Sequence, residues 1–196
     1  YLIANAFLRK DELDEAIANY KKATLIFPDY SEAYLSMGNA LMDKGMLDEA
    51  IDNYKEVIKI NPDYADAFNN MGNAFQVKGD LESAIDYYYQ AIKLKPDFAE
   101  AFNNLGSALR GRLKLNDSID NYKQAIKLKP YYVDAYSNMG DALYASGRYE
   151  EAIESCKQAI RIDPNYSEAY YNMGNALMEK GDLEESIKSF KKAIKL

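Results

Sequence analysis

The chain contains no histidine and a single cysteine, Cys156. Without histidine there is no Ser-His-Asp triad, no His-based zinc site and no imidazole general base. One cysteine excludes an intrachain disulfide framework and any CxxC pair. Cys156 itself reads as a small buried hydrophobe rather than a reactive thiol. Neither phosphate-cradling pattern, GxxxxGKS or GxGxxG, occurs. No apolar run approaches the roughly 18 residues that span a bilayer, and no secretory leader is visible. A cytoplasmic origin without a membrane partner is expected. The acid excess, a formal charge of −7, argues against nucleic acid as a partner and suits a neutral or basic one. No catalytic residue, cofactor or metal ion is expected.

The five prolines show what is present. Pro28, Pro62, Pro96, Pro130 and Pro164 stand 34 residues apart, and a fixed period in this range marks a solenoid. The stretch from Pro62 to Lys95 serves as template. A first segment, about 65–78, places Ala67, Phe68, Met71, Ala74 and Phe75 at helical spacing. A second, about 81–94, places Leu81, Ala84, Ile85, Tyr88, Ala91, Ile92 and Leu94 on one face. Asp63 with Asp66, and more strongly Asp29 with Glu32 and Asp97 with Glu100, read as capping boxes. Gly79 ends the first helix, where a left-handed residue costs least. Each unit is a helix–turn–helix that must stack on its neighbours to bury its apolar faces.

Within each unit an aromatic residue (Tyr34, Phe68, Phe102, Tyr136, Tyr170) precedes a glycine by four positions. The glycines are Gly38, Gly72, Gly106, Gly140 and Gly174, and small residues follow in the second helix, as at Ala50, Ala84 and Ser118. An aromatic slot (Tyr54, Tyr88, Tyr122, Phe190), another small apolar residue and the proline complete the unit. This pattern resembles the tetratricopeptide repeat and covers essentially the whole chain. The resemblance implies an all-α fold, a right-handed superhelix of antiparallel helix pairs. It would form a single array over residues 1–196, with repeats at about 1–30 (truncated), 31–64, 65–98, 99–132, 133–166 and 167–196. The glycine and the small residue facing it, Gly72 and Ala84, are read as allowing two helices to cross closely, with aromatics filling the remaining space.

Several copies depart from the template. The first has Ala4 and Asp11 where later copies have glycine, and its second helix ends in the apolar run Thr24 to Phe27. Met46 stands where Asp80 and Asp182 would cap a second helix. Tyr87 and Tyr89 flank the core slot of Tyr88 and are expected at the edge or outside. In the fourth copy Leu113 occupies the glycine position, so the helix is expected to end differently or the turn to be reshaped around Gly111. Tyr131 replaces the aspartate before the fifth first helix. No polar cap follows Leu196, which leaves open a longer array or self-association through the uncapped terminal helices. Most carboxylates and lysines read as helix-end charges or as i,i+3 pairs: Asp52–Lys55, Asp120–Lys123 and Glu154–Lys157.

Two rows on the first helices exceed structural need. Asn70, Asn104, Asn138 and Asn172 share one repeat position. Asn39, Asn73, Ser107, Asp141 and Asn175 share another, three residues on and on the same face. Asn69 and Asn103 extend the strip. Asparagine is a mediocre helix former, and its amide can pair with any peptide unit. In the tetratricopeptide family first helices line a concave groove that binds extended peptides. The rows resemble the asparagine ladder in repeats of O-linked N-acetylglucosamine transferases. The lysines of the family's chaperone-carboxylate clamp are absent, their positions holding Leu35, Asn69, Asn103, Ser137 and Tyr171. The expected function is a non-catalytic scaffold for a protein or extended peptide. A substrate-recruiting arm of a larger enzyme such as a glycosyltransferase, and an end-to-end structural array, remain alternatives.

Overall fold

A computed structural model describes residues 1–10 and 12–196; the expected departure at Asp11 lies outside them. Among the described residues every regular element is an α-helix. In chain order these are α1 (Leu2–Leu8), α2 (Leu13–Ile26), α3 (Ser31–Asp43), α4 (Leu47–Ile60), α5 (Ala65–Val77) and α6 (Leu81–Leu94). Then come α7 (Ala99–Gly111), α8 (Leu115–Leu128), α9 (Val133–Ala145), α10 (Tyr149–Ile162), α11 (Ser167–Lys180) and α12 (Leu183–Lys195). They pair as six hairpins in the 34-residue frame.

The template hairpin shows why. Met71 and Ala74 of α5 and Ile85, Tyr88 and Ala91 of α6 are all buried, each large side chain contributing about 1.5–3 kcal/mol. Gly79, at φ 82°, reverses the chain. Its N–H donates to Gln76 O, and Asp80 N–H donates to Phe75 O, each at 3.0 Å, the paired bonds of a Schellman turn. Asp80 then caps α6, accepting from Ser83 N at 3.1 Å and Ser83 Oγ at 2.7 Å.

Four expectations need correction. First, the aromatics fill the space as expected, but a side chain does lie between the crossing helices, because the glycines of α3, α5, α7 and α11 each seat a ring. A Cβ on Gly72 would lie 2.5 Å from Tyr88 Cε1, so the tyrosine packs where that side chain would be. Gly38 faces Tyr54, Gly106 faces Tyr122 and Gly174 faces Phe190 in the same way, and Gly140 faces Cys156 Sγ. Second, the turn at Leu113 keeps the common shape. Leu113 takes φ 58°, its N–H donates to Arg110 O at 2.9 Å, and Lys114 N–H donates to Leu109 O at 3.0 Å. The packing of α7 against α8 holds the hairpin geometry and leucine accepts the strained backbone. Third, Asp29, Asp63 and Asp97 stand one residue before the N-caps Tyr30, Tyr64 and Phe98, which make no side-chain cap bond. Asp182 is an N-cap but makes no such bond either; it pairs with Lys180 at 3.3 Å. Fourth, Glu154 pairs with Arg161 at 3.3 Å and accepts from Gln158 at 2.9 Å, rather than serving Lys157. The pairs Asp52–Lys55 and Asp120–Lys123 form as expected, at 2.9 and 3.5 Å.

The chain divides into two compact units, Tyr1–Pro96 and Asp97–Leu196. In the first, Tyr20, Met37, Leu41, Ile51, Tyr54 and Met71 build the core. In the second, Ile119, Tyr122, Leu143, Ile153 and Leu177 do so. Within each unit a second helix packs on the next first helix: α2 on α3 and α4 on α5 in one, α8 on α9 and α10 on α11 in the other. First helices also meet one another, α3 with α5, α7 with α9 and α9 with α11. Tyr87 is partly buried and stacks on Phe75 with centroids 5.3 Å apart, whereas Tyr89 is exposed. On α12, Ile187 is 53% exposed, while Ile51 and Ile153 at the same repeat position are 4% and 6% exposed.

Candidate functional site

Because first helices meet across hairpins, residues at one repeat position come close. On α5 a single stripe carries Asp66, Asn70 and Asn73, spaced i, i+4 and i+7. The matching stripes bring the expected amides together within each unit.

In the first unit Asn70 Nδ2 donates to Asn39 Oδ1 at 2.9 Å. The same oxygen accepts the Tyr54 hydroxyl at 2.8 Å. Asn69, buried, donates to Asn70 Oδ1 at 3.3 Å. The Tyr88 hydroxyl donates to Asn73 Oδ1 at 2.8 Å, with Gln76 Oε1 2.9 Å away. Asn39 Oδ1 is thus filled by two donors, while Asn39 itself is exposed and its Nδ2 keeps two N–H groups. A cavity of about 270 Å³ opens here, lined by Asn39, Met42, Asp43, Tyr54, Asn70 and Asn73.

In the second unit Asn138 Nδ2 donates to Asn103 Oδ1 at 3.1 Å, and buried Asn103 donates to Asn104 Oδ1 at 3.5 Å. Asn172 Nδ2 donates to Ser137 Oγ at 3.2 Å and approaches Ser137 O at 3.3 Å. Asp141 is held by Arg110, Nε to Oδ2 at 3.0 Å and Nη2 to Oδ1 at 3.4 Å. Ser107 and Asn175 lie half-buried in the same row. The amide rows therefore tie neighbouring hairpins together as well as facing outward. Asn69 and Asn103, read from sequence as extending the polar strip, are buried links in that network.

Two features escaped the sequence reading. One is the phenol–amide bond: Tyr20 with Asn5, Tyr54 with Asn39 and Tyr88 with Asn73. The constant spacing of the two rows was its signal. The other is the Arg110–Asp141 pair, signalled by an acid in an amide row and an arginine 31 positions earlier. Burial pushes the Tyr54 and Tyr88 phenols up. Burial raises Tyr122 to about 12, with the nearby Asp141 charge adding to it. Cys156 is fully buried, and burial raises its thiol to about 12. These are protonated, packed groups. Among the described residues no cluster of His, Cys, Asp and Glu could hold a metal ion, and no helix is long and apolar enough to cross a membrane.

No curated protein matches the chain. Among solved structures, one of MamA is 33% identical with a TM-score of 0.72, covering 81% of this chain and 93% of that one. YrrB, described as a TPR protein with an unusual peptide-binding site, is 23% identical with a TM-score of 0.71, covering 90% and 91%. PilF of Pseudomonas aeruginosa is 18% identical with a TM-score of 0.77, covering 84% and 75%; these last two share the fold. The TPR repeat profile matches residues 4–45, 38–79, 114–147 and 140–181, and the tetratricopeptide repeat profile matches 65–98 and 167–196. With helical hairpins in a 34-residue frame, ring-seating glycines and these profiles over most of its length, the chain belongs to the tetratricopeptide repeat family.

Proposed function

We propose that the protein is a non-catalytic scaffold that binds a protein partner, through an extended segment, along the amide face of its first helices. The observation that carries this is the 270 Å³ cavity at Asn39, Asn70 and Asn73. There an amide has both acceptor bonds filled and its two donors open, so it can hold a backbone carbonyl of any sequence. The peptide-binding site named for YrrB, a protein of the same fold, agrees with this reading. A recruiting arm of a larger glycosyltransferase would use the same face; the likeness of the amide rows is what favours it.

Peptides selected by phage display against the whole chain give the probe. Their affinity is compared between wild type and the Asn39→Ala/Asn70→Ala variant, at a temperature where both are folded. The three bonds removed cost about 1 kcal/mol each in stability, and a groove role adds a loss of about tenfold in affinity. Undiminished binding of every selected peptide sinks the proposal.

A further inference from the structure

The amide stripe has an acidic edge. Glu32, Asp66, Glu100, Asp134 and Glu168 share one repeat position, four residues before the Asn70 row and on the same face. The helices α3, α5, α7, α9 and α11 together hold eight carboxylates and two cations. Both cations are engaged, Arg110 by Asp141 and Lys180 by Asp182. The residue capping the next first helix, such as Tyr132 or Tyr166, sits between successive acids of this edge.

In the second unit two such notches differ informatively. In the first, Lys129 Nζ lies 3.0 Å from Glu100 Oε1 and 4.4 Å from the centroid of the Tyr132 ring. The chain's own ammonium thus occupies a carboxylate–aromatic notch. One repeat later the notch is Asp134, Tyr166 and Glu168, and the position of Lys129 is held by Asp163. Asp163 is engaged with the turn, accepting from Asn165 N at 2.9 Å. Tyr166 Oη lies 2.6 Å from Asp134 Oδ1 and 3.1 Å from Glu168 Oε2. Two carboxylates thus converge on a hydroxyl with one proton to give, so that hydroxyl can serve only one of them.

We infer that the Asp134–Tyr166–Glu168 notch receives a lysine or arginine side chain of the bound segment, as Glu100 and Tyr132 receive Lys129. A cation there meets two carboxylates and an aromatic face. The partner is accordingly a basic extended peptide, with the amides holding its backbone. This rests on the groove reading above and adds to it the chemistry of the partner.

Two fluorescein-labelled twelve-residue peptides make the comparison, identical except that one carries lysines and the other ε-acetyl-lysines. Fluorescence polarisation at low salt, where surface charge is least screened, reads their affinities. Wild type should prefer the lysine peptide by about fivefold. Asp163→Lys should erase that preference by filling the notch from within, leaving the acetylated peptide's affinity unchanged. Glu168→Gln, which keeps the shape, should reduce it. Equal binding of the two peptides by wild type overturns the inference while sparing the groove. So does a preference that survives both substitutions. Binding of neither peptide overturns it as well. A preference lost in Asp163→Lys but indifferent to Asn138→Ala would keep the notch and remove the amide row from the partner's path.

Discussion

Leu113 does what its glycine counterparts do, at a cost they avoid. A left-handed leucine is destabilising by roughly 1–2 kcal/mol, and its side chain, 74% exposed, recovers little by burial. Leu113→Gly should therefore stabilise the protein by about 1 kcal/mol, seen as a higher urea midpoint with an unchanged slope. Gly72 is the opposite case. Alanine there gains about 1 kcal/mol of helix propensity, but its Cβ would meet the buried Tyr88 ring at 2.5 Å. Overpacking of this kind costs about 1–3 kcal/mol, so Gly72→Ala should lower the melting temperature. Both positions were visible in the sequence, and both were misread for the same reason. Residue type reports what a site permits, whereas the outcome depends on which neighbour claims the space. Cys156 was legible because only its smallness mattered. Fully buried, with its thiol raised to about 12, it should resist Ellman's reagent in the folded protein and react fully in urea.

Among the helices, boundaries were readable to within a residue or two, because the apolar period recurs in every copy and glycine or proline marks most of the ends. The caps were not, since a cap bond depends on its third residue as much as its first. Asp80 caps α6 because Ser83 offers both N–H and hydroxyl. Met46 begins α4 with Glu49 at the corresponding place. The pair Met46→Asp with Glu49→Ser should stabilise by about 1 kcal/mol. Met46→Asp alone should gain less, because the new carboxylate would face Glu49; thermal melts of the two variants separate these outcomes. The buried tyrosines of the second helices bring a pH dependence. Tyr122 ionises near 12 when folded and near 10.0 when not. Its protonated form thus contributes stability that is intact below about pH 10 and lost as pH rises towards 12. Tyr122→Phe should make the alkaline unfolding transition less steep, followed by circular dichroism.

At the scale of the molecule, hairpins within each unit pack on one another, and stability in such an array is shared between intrinsic and neighbour terms. Ile187 on α12 lacks the cover that its counterparts have, and Leu2 and Ile3 of α1 are exposed likewise. Hydrogen exchange should accordingly be fastest in α1 and α12 and slowest in the inner helices of each unit; uniform protection along the chain would contradict this. The amide rows were legible as rows, because repetition displays them. Their bonding was not. Whether Asn138 meets a partner or Asn103 depends on how closely α7 and α9 approach, which no single repeat encodes.

The ring seats carry one more implication. Hairpins one to four each hold a tyrosine in the core slot, while the fifth holds Cys156 and the sixth Phe190. With no tryptophan in the chain, ultraviolet difference spectra come from phenols alone. Exchanging those four tyrosines for phenylalanine one at a time would remove the buried core-slot phenol of one hairpin per variant. The order in which the stack comes apart could then be followed optically, without attaching a dye.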